Sequence, residues 1–117
     1  MKRTITAIAV LFNTLVQVEP TMAQMIEWKA VPETDSFASI GINTWVRRDE
    51  QIAFDADIDG EYVRYNGNCQ TKMLYRIKNG DINEKRQILN VRPYPNDTWF
   101  RANEFQDRIL TMACSLG

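Results

Sequence analysis

Histidine is absent from the 117 residues, and cysteine occurs only twice. The first absence removes the usual base of nucleophilic catalysis, so neither a Ser–His nor a Cys–His pair can be built. With two cysteines and no histidine, a zinc tetrahedron lacks its usual ligands. An excess of one charge is missing too: 14 Lys and Arg stand against 15 Asp and Glu, a net charge of −1. Attraction to nucleic acid or to an anionic membrane through bulk charge is therefore not expected.

The chain also lacks an apolar run long enough to span a bilayer. The longest, Ile5 to Val18, covers 14 residues and includes Thr6, Asn13, Thr14 and Gln17. A spanning helix needs about 20. What surrounds the run is more telling. Met1-Lys2-Arg3 precedes it, and Glu19-Pro20-Thr21-Met22-Ala23 follows. A basic start, an apolar middle and a small-residue exit make a secretory leader. Pro20 ends the apolar helix, and cleavage is expected between Ala23 and Gln24. Residues 1–23 are read as a signal peptide and 24–117 as a single domain. No cysteine lies at the cut, so no lipid attachment is expected. The cleaved protein is expected in the periplasm or secreted, with no membrane insertion. Losing Lys2, Arg3 and Glu19 leaves it weakly acidic. In an exported chain, Cys69 and Cys114 form one disulfide.

Alternation dominates what remains. Ile26, Trp28 and Ala30 alternate with polar residues, as do Ala38, Ile40 and Ile42, giving two short strands. Residues 43–50 read as a connection. Gln51 to Asp59 is the clearest strand, with Ile52, Phe54, Ala56 and Ile58 on one face and Ala53, Asp55, Asp57 and Asp59 on the other. Gly60 breaks it, and Glu61 to Tyr65 resumes. Asn66-Gly67 and Asn79-Gly80 are tight-turn signals flanking a strand from Cys69 to Ile77. A poorly patterned return strand covers Ile82 to Val91, and Pro93 and Pro95 end the sheet. Asn103 with Gln106 forms a capping box. Phe105, Ile109, Met112 and Ala113 then line one face of a terminal helix that contains Cys114. The predicted fold class is α+β: an antiparallel meander with a C-terminal helix packed on one face, tied by the disulfide.

Chemistry-bearing residues are few. Asp55-Ala56-Asp57-Ile58-Asp59-Gly60 matches the first half of a calcium loop. The twelfth position is Asn66, where the motif needs a bidentate Glu, and the flanks read as strands. The reading is an acidic strand face in water, with Asp55, Asp57 and Asp59 only weak candidates for a cation. No metal site, cofactor or catalytic residue is expected. Trp45 beside Arg47 and Arg48 is an aromatic with arginines in a connection, the composition of a contact patch. Tyr62, Arg64 and Tyr65 repeat that mix. These six are the candidate binding residues.

Trp28 in the first strand, Cys69 entering a central strand, Tyr75-Arg76 within it, a Gly80 turn, Trp99 ahead of the helix and a terminal Ala113-Cys114 form a further pattern. In these features the chain resembles the surface-adhesin E group of exported bacterial proteins. The resemblance implies a small antiparallel sheet with a sheet-to-helix disulfide. It also implies a non-enzymatic protein whose namesakes bind host matrix and serum proteins, in some cases as homodimers. Without a lipoprotein cysteine, the chain departs from the namesake's anchoring. The function expected is an exported binding protein with a protein partner. Two alternatives are a periplasmic inhibitor of a cell-wall hydrolase and a small hydrolase using the acidic strand face.

Overall fold

The computed structural model describes residues 26–32, 34, 37–95 and 98–116. The leader expected over residues 1–23 lies outside them. Eight antiparallel strands form one sheet: β1 (Trp28–Ala30), β2 (Ala38–Gly41), β3 (Val46–Arg48), β4 (Gln51–Ile58), β5 (Glu61–Asn68), β6 (Met73–Ile82), β7 (Ile88–Pro93) and β8 (Phe100–Arg101). Their order is β1-β2-β4-β5-β6-β7, with β3 beside β4 and β8 beside β6. One helix, α1 (Glu104–Cys114), is found among the described residues. The expected layout of a meander with a terminal helix is present, but the protein is mostly β rather than an even mixture.

The core follows from the alternation in β4. Ile52, Phe54 and Ala56 face α1, where they meet Ile40, Val63, Leu74, Ile109, Leu110 and Ala113. Six of these side chains are all but inaccessible: Phe54, Ile40, Ile52, Leu74, Ile109 and Leu110. Burying each stabilises the fold by ~1.5–3 kcal/mol. Asn103 caps α1 as its sequence predicts. Its Oδ1 accepts the Gln106 N–H at 2.8 Å, and Gln106 Oε1 accepts the Asn103 N–H at 3.0 Å. The cysteines are bridged, with Cα atoms 5.9 Å apart and a sequence separation of 45. A bridged pair belongs to an oxidising compartment.

The turns fall elsewhere than the Asn-Gly pairs suggest. Asn66-Gly67 lies inside β5 and Asn79-Gly80 inside β6. The two-residue turn is Asp59-Gly60, whose φ angles are 53° and 90°. Positive φ at both positions is what the right-handed twist of a hairpin requires. Gly67 has a packing role. A Cβ there would stand 2.5 Å from Leu110 Cδ1, so the missing side chain lets α1 sit close to the sheet. The longer hairpins turn on lone asparagines. Asn68 Oδ1 accepts the N–H groups of Gln70 and Thr71, and Asn83 Oδ1 those of Lys85 and Gln87, all at 2.9 Å. Such Asx turns compete well with ladder bonding. Cys69 therefore sits in the turn after β5 and does not enter a strand. The expected connection at 43–50 contains β3, which pairs Val46 with Ala53 and Arg48 with Gln51.

Tyr65 belongs to the core, 5.6 Å from Phe54 between ring centroids. Burial pushes its phenol up from 10 to about 12, against the opposing pull of the Arg76 charge. The folded state thus holds a proton between pH 10 and 12 that the unfolded chain releases. Stability is complete below pH 10 and falls by up to roughly 1.4 kcal/mol per pH unit through this window. Denaturant titrations at stepped alkaline pH should show that loss, and Tyr65→Phe should remove most of it.

Candidate binding face

Cross-strand partners share a face, so the register sorts the sheet into two. The front lies under α1. The back carries Val46 and Arg48 from β3, Gln51, Ala53, Asp55 and Asp57 from β4, and Tyr62, Arg64, Asn66 and Asn68 from β5. Met73, Tyr75 and Lys78 from β6 continue it, and Arg101 from β8 closes it opposite Met73.

One end of the back face is closed. Asp55 and Asp57 were expected in water, yet they are 4% and 3% exposed. Asp55 Oδ1 accepts Tyr62 Oη–H at 2.7 Å and pairs with Arg64 Nη1 at 3.0 Å, while Oδ2 accepts Thr44 Oγ1–H at 2.6 Å. Asp57 pairs with Arg86 Nη2 at 2.9 Å and accepts the Gly60 N–H at 2.9 Å. The Arg86 guanidinium lies 5.0 Å from the Trp28 ring centroid and 5.7 Å from that of Phe37. Ile26, Tyr62 and Ile88 form a second small core beside these pairs. The reason for the correction is now plain. A buried carboxylate is tolerated when charge partners and hydrogen bonds replace its water, and here two arginines, a tyrosine and a threonine do so. Asp59 is in the turn, where its Oδ1 accepts the Phe37 N–H at 3.0 Å. The three carboxylates do not converge on a common point, and among the described residues no three metal-ligating side chains do.

The six candidate binding residues are not brought together either. Trp45 packs against the main core from the front. Arg47 pairs with Ile52 on that side, and its Nη1 donates to the Cys114 carbonyl at 3.3 Å. It supplies the positive charge that the last turn of α1 lacks. Tyr62 and Tyr65 are both buried, on opposite faces. Three positions apart on one strand, they point to opposite sides of the sheet, and each side has its own core. Arg64 is committed to Asp55. Of the six, Arg48 alone stands exposed on the back face.

The other end of the back face is open. Val46 is 58% exposed and Trp99 40%. Trp99, just ahead of β8, rests against Tyr75 with ring centroids 5.5 Å apart at 55°. Asn66 lies beside Tyr75 in the ladder, and Gln51 and Asn68 share the next row. Arg48 and Arg101 flank that row at either end, with Lys78 below. In sequence, Tyr75 and Trp99 belong to the resemblance pattern and are left out of the six binding residues. The available signal was the alternation of Tyr75 against Leu74 and Arg76, which sets it on the face away from α1. Arg76, on the front, covers Phe100 and Tyr94 at 4.2 and 4.8 Å, and is part of the packing.

Among the described residues no helix is long and apolar enough to cross a membrane. Comparison with protein-family models, curated proteins and solved structures gives no match, so the surface-adhesin E resemblance rests on the sequence features alone.

Proposed function

We propose that this is a non-enzymatic binding protein, exported to the periplasm or the medium, that meets its partner through the open half of the back face. The observation that carries the reading is the Trp99–Tyr75 pair, Trp99 exposed and Tyr75 partly so, on a sheet surface that α1 leaves uncovered. Large aromatics in such positions are the usual anchors of recognition. The leader pattern and the Cys69–Cys114 bridge support export. The commitment of Asp55 and Asp57 to arginines supports a role without catalysis. The surface-adhesin E resemblance points the same way.

The test is retention of partners by the immobilised, oxidised protein, alongside a Tyr75→Ala/Trp99→Ala variant that still melts cooperatively. A saturable partner held by the parent, and at least tenfold more weakly by the variant, is the expected result. Equal retention by both would move the binding site off this face. Retention of nothing by either would remove the binding role.

A further inference from the structure

We infer that the open back face binds an acidic polysaccharide, a chain of sugar rings bearing carboxylate or sulfate groups. This rests on the binding role proposed above and names its ligand class. Charge is the first ground. Arg48, Lys78 and Arg101 make no ion pair among the described residues. Among the paired strand residues of this face the acids are Asp55 and Asp57, which are buried and matched by Arg64 and Arg86. The strand rows of this face therefore carry three cations without an ion pair, although the protein as a whole is slightly acidic. An arginine presents a planar fork that suits carboxylate and sulfate oxygens.

Size is the second ground. The open part spans five strands, β3-β4-β5-β6-β8, and about three rows of side chains. At ~4.8 Å between strands and ~6.8 Å between rows, that is on the order of 500 Å². A stable protein–protein interface takes about 800 Å² from each partner. The face is smaller than the area a globular partner usually takes and large enough for a few linked rings. Shape agrees. A groove of about 840 Å³ between Lys29–Pro32 and α1 lies on the other side of the sheet. The inner strands of the back face are already paired on both edges, so over β4, β5 and β6 a peptide cannot join by adding a strand. Recognition must come from side chains. Trp99 offers a ring for a sugar face, Asn66 and Gln51 offer amides for hydroxyls, and the cations take the acidic groups.

The test uses polygalacturonate as probe, with neutral dextran and polyglutamate as controls, against the oxidised full-length protein. Calorimetry should show saturable binding of polygalacturonate that weakens at least tenfold in Arg48→Ala/Arg101→Ala, weakens as much in Trp99→Ala, and falls with added salt. Dextran should not bind, and polyglutamate should bind at least tenfold more weakly. Equal binding of polyglutamate would overturn the inference in favour of an acidic protein segment. Binding unaffected by Trp99→Ala would reduce it to charge alone and overturn it. No polysaccharide binding, together with a Trp99-dependent partner in the retention experiment, would sink this inference and leave the binding role standing. Failure of both experiments would remove the two together.

Discussion

A chain carrying Cys69→Ala and Cys114→Ala is expected to lose about 4 kcal/mol of stability, read from the shift in its urea midpoint against the oxidised parent. The bridge closes a loop of 45 residues. Opening it returns that loop's freedom to the unfolded chain, which the chain-entropy account values at about 4 kcal/mol. The folded side changes less. Ile109, Leu110 and Ala113 still seat α1 on β4 and β5, and Arg47 still meets the helix end. A domain of this size commonly has only 5–15 kcal/mol in hand, so the loss is a large part of the total. Reducing the parent should reproduce the shift. A change below about 1 kcal/mol would mean that the reduced, unfolded chain keeps much of the same closure through residual structure.

The second large effect is expected at Asp55. Asp55→Ala removes the acceptor of Tyr62 and Thr44 and the partner of Arg64 in one step. Breaking a buried ion pair from one side costs ~3–5 kcal/mol, because the remaining charge and donors stay without water. The Arg64 side chain is 22% exposed and regains some solvent, which places the loss near the lower end. Asp57→Ala is the internal control. Its partner Arg86 is 40% exposed and rehydrates more readily, so the smaller loss is expected there. Thermal or urea unfolding of the two variants should therefore rank Asp55 above Asp57. The reverse order would mean that the Arg86 stack on Trp28 and Phe37, rather than solvent access, sets the cost at this end of the face.

The strand faces were legible where a single rule governed them. In β4, period two names Ile52, Phe54 and Ala56 as core, and they are core. The capping box at Asn103 is a local motif that needs nothing beyond three residues of chain, and it forms. The apolar face of α1 is also legible, though Leu110 widens it beyond the expected Phe105, Ile109, Met112 and Ala113. The turns were harder. Asn-Gly pairs are good turn formers, but a glycine can equally be the place where another element must come close. Gly67 is that place because Leu110 stands over it, and no local pattern reveals a helix arriving from 43 residues downstream.

The site was less legible for the same reason. The acidic side of β4 reads as wet in any one-strand view, since alternate carboxylates usually face solvent. Their arginines come from β5 and from the hairpin after β6. Trp45 and Arg47 look like a patch because they adjoin in sequence, yet strand geometry sends both to the front, toward α1. Tyr75 and Trp99 meet only because β8 pairs with β6.

By itself, then, the sequence determined the β-rich plan, the inward face of the central strand, the start of the helix and the availability of two cysteines for one bridge. Each of these depends on residues within a few positions of one another, or on a simple count. Tertiary structure alone decided which glycines turn and which make room, that Asp55 and Asp57 are buried against arginines, and that the open surface carries Trp99, Tyr75, Arg48 and Arg101. Those outcomes depend on strand register and on helix placement. Both are set by how the whole apolar core closes, a balance over the entire chain that no short window contains.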